Sequence, residues 1–200
     1  MPNPTRQQPS DTEPLARRTP GGFTLAEMLF VVVIVGILAS MMTPLFSPGR
    51  RRADSAVQEL VMSLNAAQRL AVLRQHDIIV TFGITDRVIR LHKDLDNDGI
   101  QDAGEDVIVQ ELPETMGFGV DGAPSLPQGP GPVSFASGTG DPTLTFHRNG
   151  SASSSGVAYV RPLQGSMSLS PEAVRALTVE RATGEVRCYS YRTGSWEPSC

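Results

Sequence analysis

Residues 21–28 read Gly21-Gly22-Phe23-Thr24-Leu25-Ala26-Glu27-Met28, and they open a long apolar run. From Met28 to Met42 (MLFVVVIVGILASMM) no residue is charged and only Ser40 is polar. The octapeptide joins a polar leader ending in glycine, an aromatic residue, a lone carboxylate and unbroken hydrocarbon. A helix that is apolar on every side belongs in a bilayer or a packed helical core. Residues 23–46 would make about 36 Å of helix at roughly 1.5 Å per residue. That is enough to cross a hydrocarbon core of about 30 Å once. No second stretch of that length follows, so the expectation is a single-span protein. A charge in such a helix costs about 2.5–3.5 kcal/mol at mid-bilayer depth, which makes Glu27 a candidate functional residue. The plainer alternative is a carboxylate solvated at the membrane interface.

An ordinary secretory signal is cut after its apolar core, beside small residues. Here the Gly22–Phe23 junction precedes the core, so a cut there leaves the helix on the mature chain. These residues resemble the cleavage and methylation signature of type IV pilins and type II secretion pseudopilins. The resemblance implies that a prepilin peptidase cuts after Gly22 and N-methylates Phe23. It also implies that Glu27, then the fifth residue, neutralises a neighbouring subunit's N-terminal amine during assembly. The signature combines cut site, carboxylate and apolar run, but it covers only about the first quarter of the chain.

The flanking charges point the other way. Arg17 and Arg18 precede the apolar run, whereas Arg50, Arg51 and Arg52 follow it. A count of positive residues would leave the C-terminal side in the cytoplasm, although long following domains translocate largely regardless of such charges. The leader signature is the stronger indication, and the globular part is expected outside the inner membrane.

The chain has 200 residues, room for one modest domain plus an anchor. It carries 17 Lys+Arg against 21 Asp+Glu. Loss of residues 1–22 removes three arginines and two acids, leaving a mature chain with a net charge of −5. That balance disfavours broad nucleic-acid binding, which needs a basic footprint. The leader is too polar to form a core and is expected to be disordered. Cys188 and Cys200 are the two cysteines. An exported domain sits where disulfides persist, so they are expected to pair, with about 3 kcal/mol of stabilisation in the chain-entropy model. The alternative is two free thiols; a metal cluster is not suggested, since neither has a CxxC partner.

Beyond Pro44, which is expected to kink or loosen the helix, periodicity returns. Ala53, Val57, Leu60, Leu64, Ala67 and Ala71 recur at steps of four and three, the mark of an amphipathic helix with one packing face. The pattern predicts one long N-terminal helix to about Gln75. Strand-like runs follow at residues 77–83, 87–93 and 106–112, the first two joined through Ile84-Thr85-Asp86 as a hairpin. Residues 121–142, rich in Gly, Pro and Ser, read as a long surface loop. Residues 143–148 and 157–160 flank an Asn149-Gly150 turn and a serine-rich bend. Residues 176–181 and 185–191 bracket Ala182-Thr183-Gly184 as a second hairpin. The expected fold is therefore α+β, a long N-terminal helix on a mainly antiparallel sheet. The expected division is a cleaved leader (1–22), a transmembrane and filament-core helix (23–46), its amphipathic extension (47–75) and a β-rich periplasmic domain (76–200). With FHRNGSAS and the late ATGEVRCYS hairpin, this order looks like the GspH/FimT branch of minor pseudopilins.

The second constellation is Asp94-Leu95-Asp96-Asn97-Asp98-Gly99-Ile100-Gln101-Asp102-Ala103-Gly104-Glu105, which fits D-x-D-x-D-G-x5-E without a gap. Ca²⁺ takes six to eight oxygens, and alternating carboxylates let three side chains converge while Gly99 supplies the sharp turn. The Ile100 carbonyl, Asp102 and a bidentate Glu105 would complete a structural calcium site at residues 94–105. The alternative is a solvated acidic turn, since Asp, Asn and Gly are common turn residues.

Weaker patterns carry less. Residues 117–122 match GxGxxG, but Pro124 follows where a nucleotide site needs a helix. His76, His92 and His147 have no metal-ligand spacing, and no GxSxG occurs. Arg175, Arg181, Arg187 and Arg192, interleaved with Glu172, Glu180 and Glu185, read as a solvated mixed-charge face. The resemblance implies a non-enzymatic structural subunit, stored in the bacterial inner membrane and assembled into a short periplasmic pseudopilus of a type II secretion system. Its implied partners are other pilin or pseudopilin subunits, the prepilin peptidase and the inner-membrane assembly platform. One rival is a minor type IV pilus subunit that binds DNA through the C-terminal arginines, distinguishable by salt-dependent DNA binding. Another is an unrelated membrane-anchored, calcium-binding periplasmic protein or an enzyme, which would keep Met1 in the presence of a prepilin peptidase.

Overall fold

The computed structural model describes residues 22–42, 48–136, 140–163 and 170–199. The leader before Gly22, Pro44 with its expected kink, and Cys200 lie outside the described residues. The chain divides into two compact units, Met1–Phe46 and Ser47–Cys200.

In the first unit, helix α1 spans Leu25–Met42. Its start is set by Thr24, whose Oγ1 accepts the Glu27 amide at 3.2 Å. A threonine N-cap three residues before a glutamate is the arrangement of a capping box. Only the threonine half is formed. Ser40, the polar residue within the run, donates its hydroxyl to the Ile37 carbonyl at 2.8 Å, so it adds little polarity to the helix surface. Residues 22–40 are all exposed, with Leu29 and Phe30 each 65% accessible. Among the described residues no helix is long and apolar enough to cross a membrane. The 18 residues of α1 make about 27 Å, against about 30 Å of hydrocarbon.

In the second unit, helix α2 spans Pro48–Arg74. A proline in the first turn is cost-free because its missing N–H would be unsatisfied there anyway. The helix ends at Gln75, whose φ of 62° is a left-handed C-cap and whose amide donates to Ala71 O at 2.9 Å. The predicted packing face is the observed one: Ala53, Val57, Leu60, Leu64, Ala67 and Ala71 are all at most 2% exposed. Ala56 joins them.

The helix packs on two antiparallel sheets, so this unit is α+β. The first contains β1 (Asp77–Gly83), β2 (Val88–Asp94), β3 (Val107–Glu111) and β5 (Thr143–Phe146) in the order β3-β2-β1-β5. The second contains β4 (Met116–Phe118), β6 (Gly156–Pro162), β7 (Arg175–Val179), β8 (Val186–Arg192) and β9 (Ser195–Pro198) in the order β4-β6-β7-β8-β9. Both expected hairpins are present, β1–β2 with Asp77 opposite Asp94, and β7–β8 with Val179 opposite Val186. The α2 stripe, Ile78, Val80, Phe82 and Ile89 from the first sheet and Ala158, Val160, Leu177 and Val179 from the second form one core. Phe82 bridges the sheets, stacked on Phe135 at 5.1 Å and edge-on to Phe118 at 6.1 Å.

Residues 121–136 are the expected irregular loop, but not all of it lies at the surface. Ala123, Val133 and Phe135 are buried, and Val133 pairs with Ala158. This segment lies over the outer face of β6 and β7, where Tyr159 accepts the Leu126 amide at 2.6 Å and donates to Gly129 O at 3.2 Å. Ala123, Val157, Tyr159, Val174 and Ala176 form a second small core beneath it. Every residue of β7 is buried as a result, which a strand facing solvent on one side could not be.

Candidate functional site

Two places hold the residues singled out from sequence. At the amino terminus, Gly22 and Phe23 precede α1 in exposed, non-helical backbone, with Phe23 76% accessible. Glu27 sits in the first turn of α1, where the helix dipole favours a negative charge. Its carboxylate makes no ion pair or hydrogen bond among the described residues. A carboxylate left uncommitted on an otherwise apolar helix is available to a partner's cation. Thr24, whose side chain fixes where the helix begins, was legible as T-x-x-E but is absent from the sequence expectation.

The acidic loop leaves the end of β2 and returns at β3. Asp94 is 2% exposed, and its two oxygens accept the Asp98 amide at 3.2 Å and the Gly99 amide at 2.9 Å. Asp98 Oδ1 accepts the Ile100 amide at 2.7 Å. Asn97 (φ 64°) accepts the Asp77 amide at 2.7 Å, tying the loop to the start of β1. Gly99 has φ +80°, the turn that only glycine makes without strain. Oxygens of Asp94, Asp96 and Asp98 lie within 4.8 Å of one another. Three hard oxygen donors at that spacing fit a divalent cation such as Ca²⁺.

Of the other predicted ligands, Ile100 and Asp102 are exposed and Glu105 is committed elsewhere. Glu105 Oε1 accepts the Leu95 amide at 2.7 Å; Oε2 accepts the Asp102 amide at 2.9 Å and lies 2.6 Å from His92 Nε2. The Asp102 amide, then His92 and the Leu95 amide, hold the Glu105 carboxyl down at about 2. Asp96 is pushed the opposite way, by desolvation first and then by the charges of Asp98, Glu105 and Asp102. The loop thus concentrates uncompensated negative charge on its three-aspartate end.

Elsewhere the expectations divide. Arg175 is not on a solvated face: it is 1% exposed, bonded through Nε to Asp54 at 2.5 Å and through Nη1 to the Glu172 and Val174 carbonyls. It lies on the face of β7 that looks toward α2, with Leu177 and Val179, and is buried there against Asp54 and the Pro171–Ala173 turn, which takes one cation out of any C-terminal basic stripe. Gly119 of the GxGxxG match is packed against the Arg161 side chain, which leaves no room for a Cβ there, let alone for a phosphate. His92 and His147 are satisfied by Glu105 and Asp77. Cys188 is 4% exposed and has no free thiol. The FHRNGSAS and ATGEVRCYS turns meet on α2, where Gln68 Nε2 donates to both Gly150 O (2.8 Å) and Thr183 O (2.7 Å).

Residues 17–43 match the family model for the prokaryotic N-terminal methylation motif. The amino terminus is pilin-like. Two solved structures of the minor pseudopilin EpsH from the type II secretion system of Vibrio cholerae are similar to this chain at 15% identity. One covers 70% of this chain and 97% of its own length with a TM-score of 0.44. The other covers 73% and 99% with a TM-score of 0.47. No curated protein matches the sequence. The pilin-like terminus brings Gly22, Phe23 and Glu27 into one motif, all within the matched residues.

Proposed function

We propose that this chain is a non-enzymatic minor pseudopilin of a type II secretion system. A prepilin peptidase removes residues 1–22 and methylates Phe23. The helix over residues 23–46 is held in the bacterial inner membrane as a single span, with the globular part in the periplasm. An assembly platform then passes the subunit into a short pseudopilus, where Glu27 meets the N-terminal amine of a neighbouring subunit. The observation that carries this reading is the methylation-motif match over residues 17–43, with Glu27 the lone charge on an exposed apolar helix. The α+β domain and the meeting of the FHRNGSAS and ATGEVRCYS turns support the GspH/FimT branch.

Calcium at Asp94, Asp96 and Asp98 would pin the acidic loop, with the Ile100 carbonyl and Asp102 as further oxygens. Glu105 would join only by exchanging its His92 and amide bonds for the cation. Cys188 and Cys200 would close the carboxy terminus as a disulfide. The deciding experiment is co-expression of the full chain with a prepilin peptidase, followed by intact-mass measurement. The expected product begins at Phe23 and carries one added methyl group. A chain still beginning at Met1 would overturn the proposal.

A further inference from the structure

The first sheet ends at β3, and the ladder with β2 decides where the backbone groups of β3 point. At one end of that ladder the Lys93 amide donates to Asp106 O, and at the other the Leu112 amide donates to Arg87 O. In an antiparallel pair, bonded residues alternate with residues whose N–H and C=O point away from the partner. The register between these two bonds is unbroken, with Leu91 opposite Ile108 and Arg90 opposite Val109. The backbone groups of Val107, Val109 and Glu111 therefore point outward. They meet no hydrogen-bond partner among the described residues.

The other sheet edges are covered or blunted. Beside β5, the Ser153 amide donates to Thr145 O, the Thr143 amide donates to Ala136 O, and Phe146 bridges to Ala152. Strand β9 ends in Pro198, and β4 is three residues long. Strand β3 (VIVQE) has no Lys, Pro or bulge, the usual devices that keep an edge from pairing. Ile108 and Val109, on its two opposite faces, are 49% and 55% exposed. The Ile108 face looks toward α2, where Ser63 donates to Gln110. A β-branched strand with a free row of donors and acceptors is a template for one more strand.

The sequence of β3 fits itself. In an antiparallel pairing centred on Val109, that residue meets its own copy and Val107 meets Glu111 of the second copy. All three outward residues are then bonded, with about six hydrogen bonds in all. Asp106 falls opposite Leu112, so no like charges face each other. Moving the centre to Ile108 sets Glu111 against Glu105, a like-charge pair. Moving it to Gln110 sets Pro113, which has no N–H, against Val107.

We propose that the outer edge of β3 is an interface with a second copy of this chain, paired antiparallel about Val109. Every residue involved belongs to the Ser47–Cys200 unit, so the inference does not depend on what surrounds α1. A pair of five-residue strands buries well under the ~1,200 Å² of a stable interface, so the dimer is reversible.

The test is oxidative cysteine cross-linking of the purified full chain in detergent, read on a non-reducing gel. Bonded partners in such a pair have Cα atoms about 5.5 Å apart, within disulfide reach, whereas the two copies of residue 107 are about 13 Å apart. Val109→Cys is expected to give a linked dimer on its own. Val107→Cys and Glu111→Cys should each stay monomeric alone and form a dimer when the two variants are mixed. Adding Val109→Lys, which sets two like charges face to face, should lower that mixed dimer about tenfold or more, whereas Val109→Thr should keep it. Equal linking of all three single variants, no linking at Val109→Cys, or a mixed dimer untouched by Val109→Lys overturns the proposal. So does Val109→Cys that links, in intact cells, to a different protein and not to itself.

Discussion

Glu105 is held by three donors, the Leu95 and Asp102 amides and His92, and its carboxyl lies at about 2 rather than in the usual carboxylate range. A depressed folded-state value means that the ionised form is the stabilising one. Its contribution is full above the unfolded value near 4.5 and is lost as pH falls from there towards 2. Glu105→Gln should therefore melt a few degrees below the unmodified chain at neutral pH, and the gap should close as pH drops through that window. A gap that persists at about pH 2 would rule this out. Arg175 presents the other residue-scale case. Its guanidinium is buried while Asp54, its acid partner, is 38% exposed. Removing one partner of a buried pair costs about 3–5 kcal/mol, and solvent around Asp54 brings the expected loss for Asp54→Asn to about 2 kcal/mol. Adding Arg175→Met should recover most of it, because the stranded charge is then gone. Chemical denaturation of the two single variants and the double variant measures this coupling, and simple additivity would contradict it. Neither arrangement was legible beforehand. Arg175 alternates with apolar residues as a surface position would, and Asp54 lies on another element 121 positions away.

At the scale of elements, what could be read from sequence was what local periodicity encodes. The α2 stripe was legible because about five turns of helix, from Ala53 to Ala71, repeat one pattern, and strands β1 and β2 because β-branched runs end at clear turns. Strand β4 has three residues and β9 ends in Pro198, so neither carries a period long enough to register. Residues 121–142 read as a surface loop from their Gly, Pro and Ser content, yet residues 121–136 cover β6 and β7 through a few spaced apolar residues and through Leu126 and Gly129 bonded to Tyr159 of β6. The acidic loop falls between these cases. Its ligand spacing was legible and three of its aspartates do converge, but the engagement of Glu105 by His92 depends on the β2–β3 pairing. Like charges gathered at Asp94, Asp96 and Asp98 should make the loop respond to calcium. Chelation is expected to lower the melting temperature of the chain by several degrees, and Asp96→Ala should erase the difference between chelated and calcium-loaded samples. An unmodified chain that melts identically with and without calcium would leave the loop as a solvated turn.

Across the whole molecule, the two units divide their residues by solvent. The Ser47–Cys200 unit buries its apolar side chains against α2 and both sheets, whereas α1 exposes nearly every one of its own. An isolated apolar surface of that length is not a state a chain keeps in water, so α1 needs lipid or other helices around it. Glu27 discriminates between these surroundings. Near the end of a membrane helix a carboxylate can reach the interface, so insertion does not depend on its charge. Among packed helices it loses water on all sides, and only an adjacent cation offsets that loss while also fixing register. Glu27→Ala removes the need for a cation and the register together. The expected outcome is a subunit still processed at Gly22 and still retained in carbonate-washed membranes, but absent from the filament fraction of lysed cells. Co-purification of the variant with the filament fraction at the unmodified level would show that the carboxylate has no part in assembly.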